Sequence, residues 1–182
     1  KKSSILDYKS THIYDKIWIC ENMVICKLWR YIKLSKHSDL ARDLFLEGYN
    51  CSQAVVLAFS DETGLDKETS LKMASPFGLG ISKLREVCGA VSGMFMVVGL
   101  LNGFTDPTDK EAKNEHYKVI RKLAERFQEE NGSIICKELL GLTGEKTPEG
   151  RPIMTKKPPC KDLVVQVSEM LDAYIEERKI EA

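Results

Sequence analysis

The chain has 182 residues, enough for one domain with a proper hydrophobic core and short for two. Its 27 basic and 27 acidic side chains cancel, so no net field favours nucleic acid or an acidic membrane surface. Composition therefore gives no basis for a function that depends on bulk charge, and we expect no nucleic-acid partner. Function has to be inferred from particular residues.

The first segment of the chain differs in composition from the rest. Residues 1–36 hold eight Lys or Arg and three Asp or Glu, a local charge of +5 in a chain that is neutral overall. We predict a basic extension over 1–37 and a helical domain over 38–182. Cys20 and Cys26 fall in the extension and are treated as accessory, with no role assigned to them.

The same segment carries no evident export signal. A secretory signal needs an uninterrupted apolar run, whereas Glu21 and Asn22 divide the apolar residues here. We therefore expect a cytoplasmic protein. In such a setting six cysteines favour reactive or ligating thiols over a disulfide framework.

From residue 38 onward the sequence predicts helices with clear start and stop signals. Ser38 is the expected cap of a helix that Gly48 ends, and a second helix begins near Asn50. Asp66 is the expected cap of a third helix, which Pro76 interrupts.

An uncharged segment comes next, from Val87 to Leu101, and it is the predicted central apolar helix. As a membrane span it would reach about 22 Å at 1.5 Å per residue, short of the roughly 30 Å hydrocarbon layer. The segment also contains several small residues, among them Gly89 and Gly93. A buried core helix is therefore the favoured interpretation.

The remaining segments are also predicted to be helical, apart from one loop. Asp106 and Pro107 signal the start of a helix that runs to about Glu130, and a short helical piece lies around Cys136. A polar loop over 141–159 leads into a last amphipathic helix. No strand alternation competes, so the predicted fold class is all-α, a compact bundle of about five to six helices around the apolar Gly-containing helix.

Four cysteines share a predicted position, because each lies at or near the start of a helix. Unpaired N–H groups and the positive dipole end of a helix stabilise a thiolate, which lowers the cysteine pKa. Arg85, Lys137 and Lys161 would act in the same direction. A single buried cysteine often only fills the core, but four in this position favour a convergent site: Cys51, Cys88, Cys136 and Cys160.

The spacing of these cysteines limits their chemistry. No C-x-x-C occurs, which argues against a thioredoxin-like pair and against a zinc knuckle. Two alternatives remain open at this point. The thiols form dithiol/disulfide pairs, or up to four of them hold a metal ion or an iron–sulfur cluster.

The residues around the four cysteines resemble a known family, the small bacterial and archaeal redox-active C_GCAxxG_C_C proteins. The resemblance begins near Asp39 and continues into the last helix. The family name places Gly before Cys, whereas this chain has the order Cys-Gly-Ala. The matching elements are Gly48-Tyr49-Asn50-Cys51-Ser52-Gln53-Ala54, Glu86-Val87-Cys88-Gly89-Ala90-Val91-Ser92-Gly93, the segment from Gly132 to Gly141 with Cys136, and Cys160.

The resemblance implies a redox function that uses the four cysteines, but it supplies no substrate, electron partner or cofactor. The first hypothesis is thiol/disulfide electron transfer by a thiol-based oxidoreductase, with Cys51 and Cys88 as the reactive pair and Cys136 and Cys160 as the second pair. Gly89, Ala90 and Gly93 are small enough to admit a cofactor or another backbone beside Cys88.

Two further hypotheses stay open. In one, the four cysteines are ligands of a metal ion or an iron–sulfur cluster. In the other, the chain is a non-enzymatic helical partner of a membrane transporter, since the family is associated with transporter genes. The three histidines form no spaced cluster, and His116 is expected at the surface or at its boundary.

Overall fold

A computed structural model describes residues 36–155, 157 and 159–181. Contacts divide the chain into two units, Lys1–Lys36 and His37–Ala182. The second unit is the helical domain, and it contains Cys51, Cys88, Cys136 and Cys160. Cys20, Cys26 and all of the predicted extension before residue 36 lie outside the described residues.

Helices dominate the described residues, and one small sheet accompanies them. The helices are α1 (36–47), α2 (Cys51–Ala58), α3 (Ser60–Thr63), α4 (Lys67–Ala74), α5 (Gly78–Ile81), α6 (Gly89–Asn102), α7 (Lys110–Asn131), α8 (Cys136–Leu139) and α9 (Cys160–Glu181), and the strands are β1 (Leu142–Lys146) and β2 (Pro152–Met154). A short 3₁₀ turn, Ser75–Phe77, joins α4 to α5.

The core forms where the apolar helix α6 packs against α2, α7 and α9. Gly93 of α6 lies directly against α2, since a Cβ atom there would lie 2.9 Å from Cβ of Val55. Its missing side chain therefore lets the two helices approach closely. The largest fully buried side chains include Phe59, Phe127, Met94 and Leu171, which come from several different elements.

Two predicted helix starts are wrong. Ser38 lies inside α1 and not at its cap, because the helix already includes residue 36. The long helix begins at Lys110, where the side chain of Asp109 accepts a hydrogen bond from the N–H of Ala112. The earlier signal at Asp106 belongs to a separate turn, in which its carboxylate accepts from the N–H and the hydroxyl of Thr108.

The loop predicted over 141–159 contains a hairpin. Strands β1 and β2 pair antiparallel, with Leu142 opposite Met154 and Lys146 opposite Pro152. The strands are short and mostly exposed, so they carry none of the alternation by which a half-buried strand is recognised. The hairpin leads the chain toward Cys160.

His37 joins three elements of the domain. Its Nδ1 lies 2.5 Å from a carboxylate oxygen of Asp172 on α9, and its Nε2 lies 3.1 Å from a carboxylate oxygen of Asp61 on α3. The imidazole also stacks on Phe59, with ring centroids 4.4 Å apart. In the part of the chain that the structure describes, no helix has the length and apolar character to cross a membrane.

Candidate thiol site

Each of the four cysteines stands at the start of a helix, as the sequence predicts. Cys51, Cys136 and Cys160 are the first residues of α2, α8 and α9, and Cys88 is the residue that caps α6. The start of α2 is fixed by Asn50, whose side chain accepts from the N–H groups of Ser52 and Gln53. Local capping chemistry therefore sets the position of Cys51.

A short antiparallel pairing of two loops brings Cys88 and Cys136 together. Val87 and Ile135 form an isolated β-bridge. The N–H of Cys88 donates to the carbonyl of Ile134 at 2.8 Å, and the N–H of Cys136 donates to the carbonyl of Glu86 at 2.6 Å. These bonds join two segments that lie far apart in sequence, and they set the approach of α6 to α8.

A strained turn lies over Cys136. Gly80 and its neighbours Leu79, Ile81, Ser82 and Lys83 all have positive φ. For residues with a Cβ atom this costs about 1–2 kcal/mol each, and it is unusual for a β-branched residue such as Ile81. Strain of this kind is concentrated at functional sites.

The strained turn is packed against the site through Gly80. A Cβ atom at Gly80 would lie 2.6 Å from Cβ of Cys136 and 2.9 Å from Cα of Arg85. The N–H of Glu86 donates to the carbonyl of Gly80 at 3.2 Å, which holds the loop closed. No larger residue fits at Gly80 without displacing Cys136.

The four thiols form one cluster. Cys51, Cys88, Cys136 and Cys160, the four cysteines within the described residues, are all free. The Cys51 thiol feels the other three electrostatically, and its strongest interaction is a hydrogen bond with Cys160. Cys160 is the most exposed of the four, whereas the other three are buried.

Three of the four thiols have raised pKa values in spite of their position at helix starts. The hydrogen bond with Cys160, and then burial, raise the pKa of Cys51 far above that of a free thiol. Burial raises the pKa of Cys88 to about 11, although the N–H groups of Ala90 and Val91 act to lower it. The prediction of lowered pKa values is therefore wrong for Cys51 and Cys88. The interaction with Cys160 outweighs the helix start at Cys51, and the loss of hydration on burial outweighs it at Cys88.

Cys136 and Cys160 behave differently from each other. Burial raises the pKa of Cys136. The guanidinium of Arg85 acts in the opposite direction and reduces that rise, since its Nη1 lies 4.0 Å from Sγ of Cys136. The hydrogen bond with Cys51 lowers the pKa of Cys160 to about 7. Cys160 alone in the cluster has the lowered pKa that the sequence predicts for all four.

Of the three basic residues expected to favour thiolates, Arg85 reaches the cluster. Its guanidinium contacts Cys136 and also lowers the pKa of Cys160. Lys137 is exposed, and Lys161 is exposed and lies 3.6 Å from a carboxylate oxygen of Asp162. Among these three, the Arg85 guanidinium is therefore the cation that acts on the thiols.

The small residues proposed to admit a cofactor are in contact with protein. A Cβ atom at Gly89 would lie 3.0 Å from the carbonyl oxygen of Phe77 and 3.1 Å from Cβ of Cys51. Ala90 is buried in the core, and Gly93 contacts α2. These contacts are those of close helix packing, and a cofactor role for the three residues stays a prediction.

No ligand set for a metal ion is evident in the described residues. They contain no group of three or more His, Cys, Asp or Glu side chains arranged to hold one. The metal hypothesis thus gains no support from the geometry of the four cysteines.

Comparison with known families identifies the family of the chain. The family model described as "Putative redox-active protein (C_GCAxxG_C_C)" matches residues 49–174, well over half of the chain. The chain belongs to this family. No curated protein and no solved structure matches it. The matched range of the C_GCAxxG_C_C family includes all four clustered cysteines and excludes the basic first segment.

Two features of this C_GCAxxG_C_C protein had no signal in the sequence. The left-handed turn uses Leu79, Ile81 and Ser82, residue types that favour ordinary backbone angles. His37 is separated by more than a hundred residues from its carboxylate partner Asp172. Only tertiary contacts reveal either feature.

Proposed function

We propose that this protein carries out thiol–disulfide exchange, with Cys160 as the attacking thiol and Cys51 as the thiol that resolves the intermediate. The observation that carries the proposal is the convergence of four free thiols from four separate helix starts, with Cys51 and Cys160 as the interacting pair. The sequence-based pairing of Cys51 with Cys88 is not the pairing that these interactions favour.

The chemistry depends on the contrast between the two thiols. Cys160 is partly exposed and becomes a thiolate near neutral pH, since the hydrogen bond with Cys51 lowers its pKa to about 7. A thiol with a pKa near ambient pH is the best attacking group in exchange reactions. Cys51 keeps its proton, because the hydrogen bond and burial raise its pKa.

The electrons move in two exchange steps. The Cys160 thiolate attacks one sulfur of a partner's disulfide, which forms a mixed disulfide and releases the first partner thiol. Cys51 then loses its proton and attacks the sulfur of Cys160. This step forms the Cys51–Cys160 disulfide and releases the second partner thiol. In total the protein loses two electrons and two protons, and both are gained by the partner's disulfide.

Cys88 and Cys136 are the two thiols outside the proposed reacting pair. Both are buried, and burial raises the pKa of each. Neither has the direct interaction with Cys160 that dominates at Cys51. In this proposal Cys136, beside Arg85, is a reserve thiol, and Cys88 contributes to packing at the start of α6.

Trapping of the mixed disulfide tests the proposal. The full chain with Cys20→Ser and Cys26→Ser is treated with oxidised glutathione, and its free thiols and mass are measured. We expect the loss of two thiols without bound glutathione, and full recovery with dithiothreitol. Adding Cys51→Ser should leave one glutathione on Cys160, whereas adding Cys160→Ser should greatly slow the reaction.

Replacement of a buried thiol provides the matched control. Cys88→Ser in the same background should still lose two thiols without retaining glutathione. If Cys88→Ser rather than Cys51→Ser traps the mixed disulfide, the assignment of the resolving thiol is wrong. If all four thiols stay titratable after oxidation, the proposed function itself is wrong.

A further inference from the structure

Arg85 lies beside the thiol cluster with most of its hydrogen-bond donors unused. The side chain is half-buried, and its Nη1 lies 4.0 Å from Sγ of Cys136. No carboxylate of the described residues forms an ion pair with its guanidinium. A guanidinium carries five N–H donors in a planar fork. Most of these donors are therefore free to bind a group that comes from outside the described part of the chain.

The backbone from which this side chain projects is held in an unusual conformation. Arg85 has φ of 65°, which is unfavourable for a residue with a Cβ atom. Its carbonyl accepts from the N–H of Lys137 at 3.0 Å, and its Cα packs on Gly80, where a Cβ atom would lie 2.9 Å away. Tertiary contacts thus fix Arg85 beside the thiols, and strain of this kind is concentrated at functional sites.

Arg85 also supplies the net positive charge near the thiols. It lowers the pKa of both Cys136 and Cys160, and no carboxylate of the described residues opposes it at either thiol. The other charged residues next to these segments are exposed and cancel in pairs of opposite sign: Lys83 with Glu86, Lys137 with Glu138, and Lys161 with Asp162.

The anion that fits such a group best is a carboxylate. Its two oxygens match the guanidinium fork and accept two parallel hydrogen bonds, which are stronger than those between neutral groups. A carboxylate on the attacked disulfide would be repelled by the thiolate of Cys160. The charge of Arg85 offsets this repulsion, whereas it disfavours a disulfide that carries amino groups.

We propose that the disulfide attacked by Cys160 is a small molecule that carries carboxylate groups, and that Arg85 binds one of them. This inference rests on the thiol–disulfide exchange proposed above and names its substrate class. In the exchange, a bond forms between Cys160 and one sulfur of the substrate, and the S–S bond of the substrate breaks. The departing half leaves as a thiolate and takes a proton from water. The bound carboxylate is unchanged by the reaction.

Three probe disulfides differ in charge but share the same two-carbon arms. They are dithiodipropionate, which is anionic, hydroxyethyl disulfide, which is neutral, and cystamine, which is cationic. Oxidation of the full chain with Cys20→Ser and Cys26→Ser is followed by thiol titration, and each rate is divided by that of the same probe with mercaptoethanol. A change in the ionised fraction of Cys160 slows all three reactions alike. The ratios between probes therefore report substrate recognition alone.

Arg85→Gln is expected to change these ratios. The preference for dithiodipropionate over hydroxyethyl disulfide should fall about fivefold, as expected for a half-exposed charge-assisted pair. Lys137→Gln is the matched control, since it removes an exposed charge next to Cys136 and should leave the ratios unchanged. If Arg85→Gln slows all three probes by the same factor, Arg85 acts only on thiol ionisation and the proposal is overturned.

Arg85→Glu separates recognition from a loss of folding. Reversal of the charge should invert the order, so that cystamine becomes the preferred probe, and misfolding could abolish a preference but not invert it. A preference for dithiodipropionate that survives in Arg85→Glu would overturn the proposal. If none of the three probes oxidises the wild-type thiols, the exchange reaction itself is wrong. Oxidation by all three with the same ratios in every variant overturns the substrate class and leaves the exchange reaction standing.

Discussion

Cys160 and Cys51 are a directly interacting pair of thiols, and their interaction lowers the pKa of Cys160 to about 7 while it raises that of Cys51. The two residues begin helices that lie far apart in sequence, and the fold brings them together. As a result, Cys160 ionises near neutral pH, whereas Cys51 keeps its proton.

The pH dependence of cysteine alkylation distinguishes the ionised Cys160 from the protonated Cys51. The thiolate is the reactive form, so the rate at Cys160 should rise with pH and reach half of its maximum near pH 7. Cys51→Ala removes the hydrogen bond and should shift the midpoint upward, toward that of an ordinary thiol. Cys88→Ala is the control and should leave the midpoint unchanged. The rates are followed by mass spectrometry of the Cys160 peptide after iodoacetamide treatment.

Arg85 is expected to set the reactivity of Cys136. Its guanidinium opposes the burial that raises the pKa of Cys136. Arg85→Gln should therefore raise that pKa further and slow alkylation of Cys136 severalfold at neutral pH. Lys137→Gln removes a neighbouring exposed charge and should have little effect. Equal rates in the two variants would show that Arg85 does not act on this thiol.

Gly80 is expected to be intolerant of any side chain. Gly80→Ala adds a Cβ atom that would lie 2.6 Å from Cβ of Cys136, at a backbone with φ of 66°. We expect a loss of about 2–4 kcal/mol in the free energy of unfolding by urea. Gly132→Ala is the control, since it also has positive φ but nothing lies within 4 Å. It should lose only about 1–2 kcal/mol, and equal losses would contradict the contact with Cys136.

His37 should make stability depend on pH. Burial by itself lowers the pKa of His37, but its contacts with Asp172 and Asp61 outweigh burial and raise it. A raised folded-state pKa gives stability that is complete below the unfolded value, about 6.5, and lost as pH rises through the folded value.

A neutral substitution isolates this contribution. The stability difference between the wild type and His37→Gln should be largest below pH 6 and should shrink as the pH rises above 7. Asp39→Asn is the control, because Asp39 is exposed and pairs with Arg42 on the surface. A difference that grows with pH would contradict the charged pairing of His37 with Asp172. Urea unfolding at a series of pH values measures it.

Most helices of the domain could be predicted because their signals are local. Asn50 and Asp66 cap the helices expected of them, and Gly48 and Gly132 have positive φ at the ends of α1 and α7. The position of four cysteines at helix starts could be predicted from the same signals. Each depends on residues within about one turn of helix, which a sequence displays directly.

What could not be predicted depends on distant contacts. The pKa of Cys51 is raised first by its interaction with Cys160 and then by burial, and that of Cys88 by burial. No local pattern reports either cause, and both act against the direction expected from the helix starts. The left-handed turn at Ile81 packs against Cys136 through Gly80, and there tertiary structure overrides propensity. The strands of the hairpin after Leu140 are too short and exposed to show alternation in the sequence.

A peptide map of the oxidised protein tests the central claim most directly. The full chain, oxidised with glutathione disulfide and digested without reduction, should yield one cross-linked peptide pair that joins Cys51 to Cys160, with Cys88 and Cys136 recovered as free thiols. A map in which Cys51 is joined to Cys88, or in which Cys160 remains free after oxidation, would contradict the account.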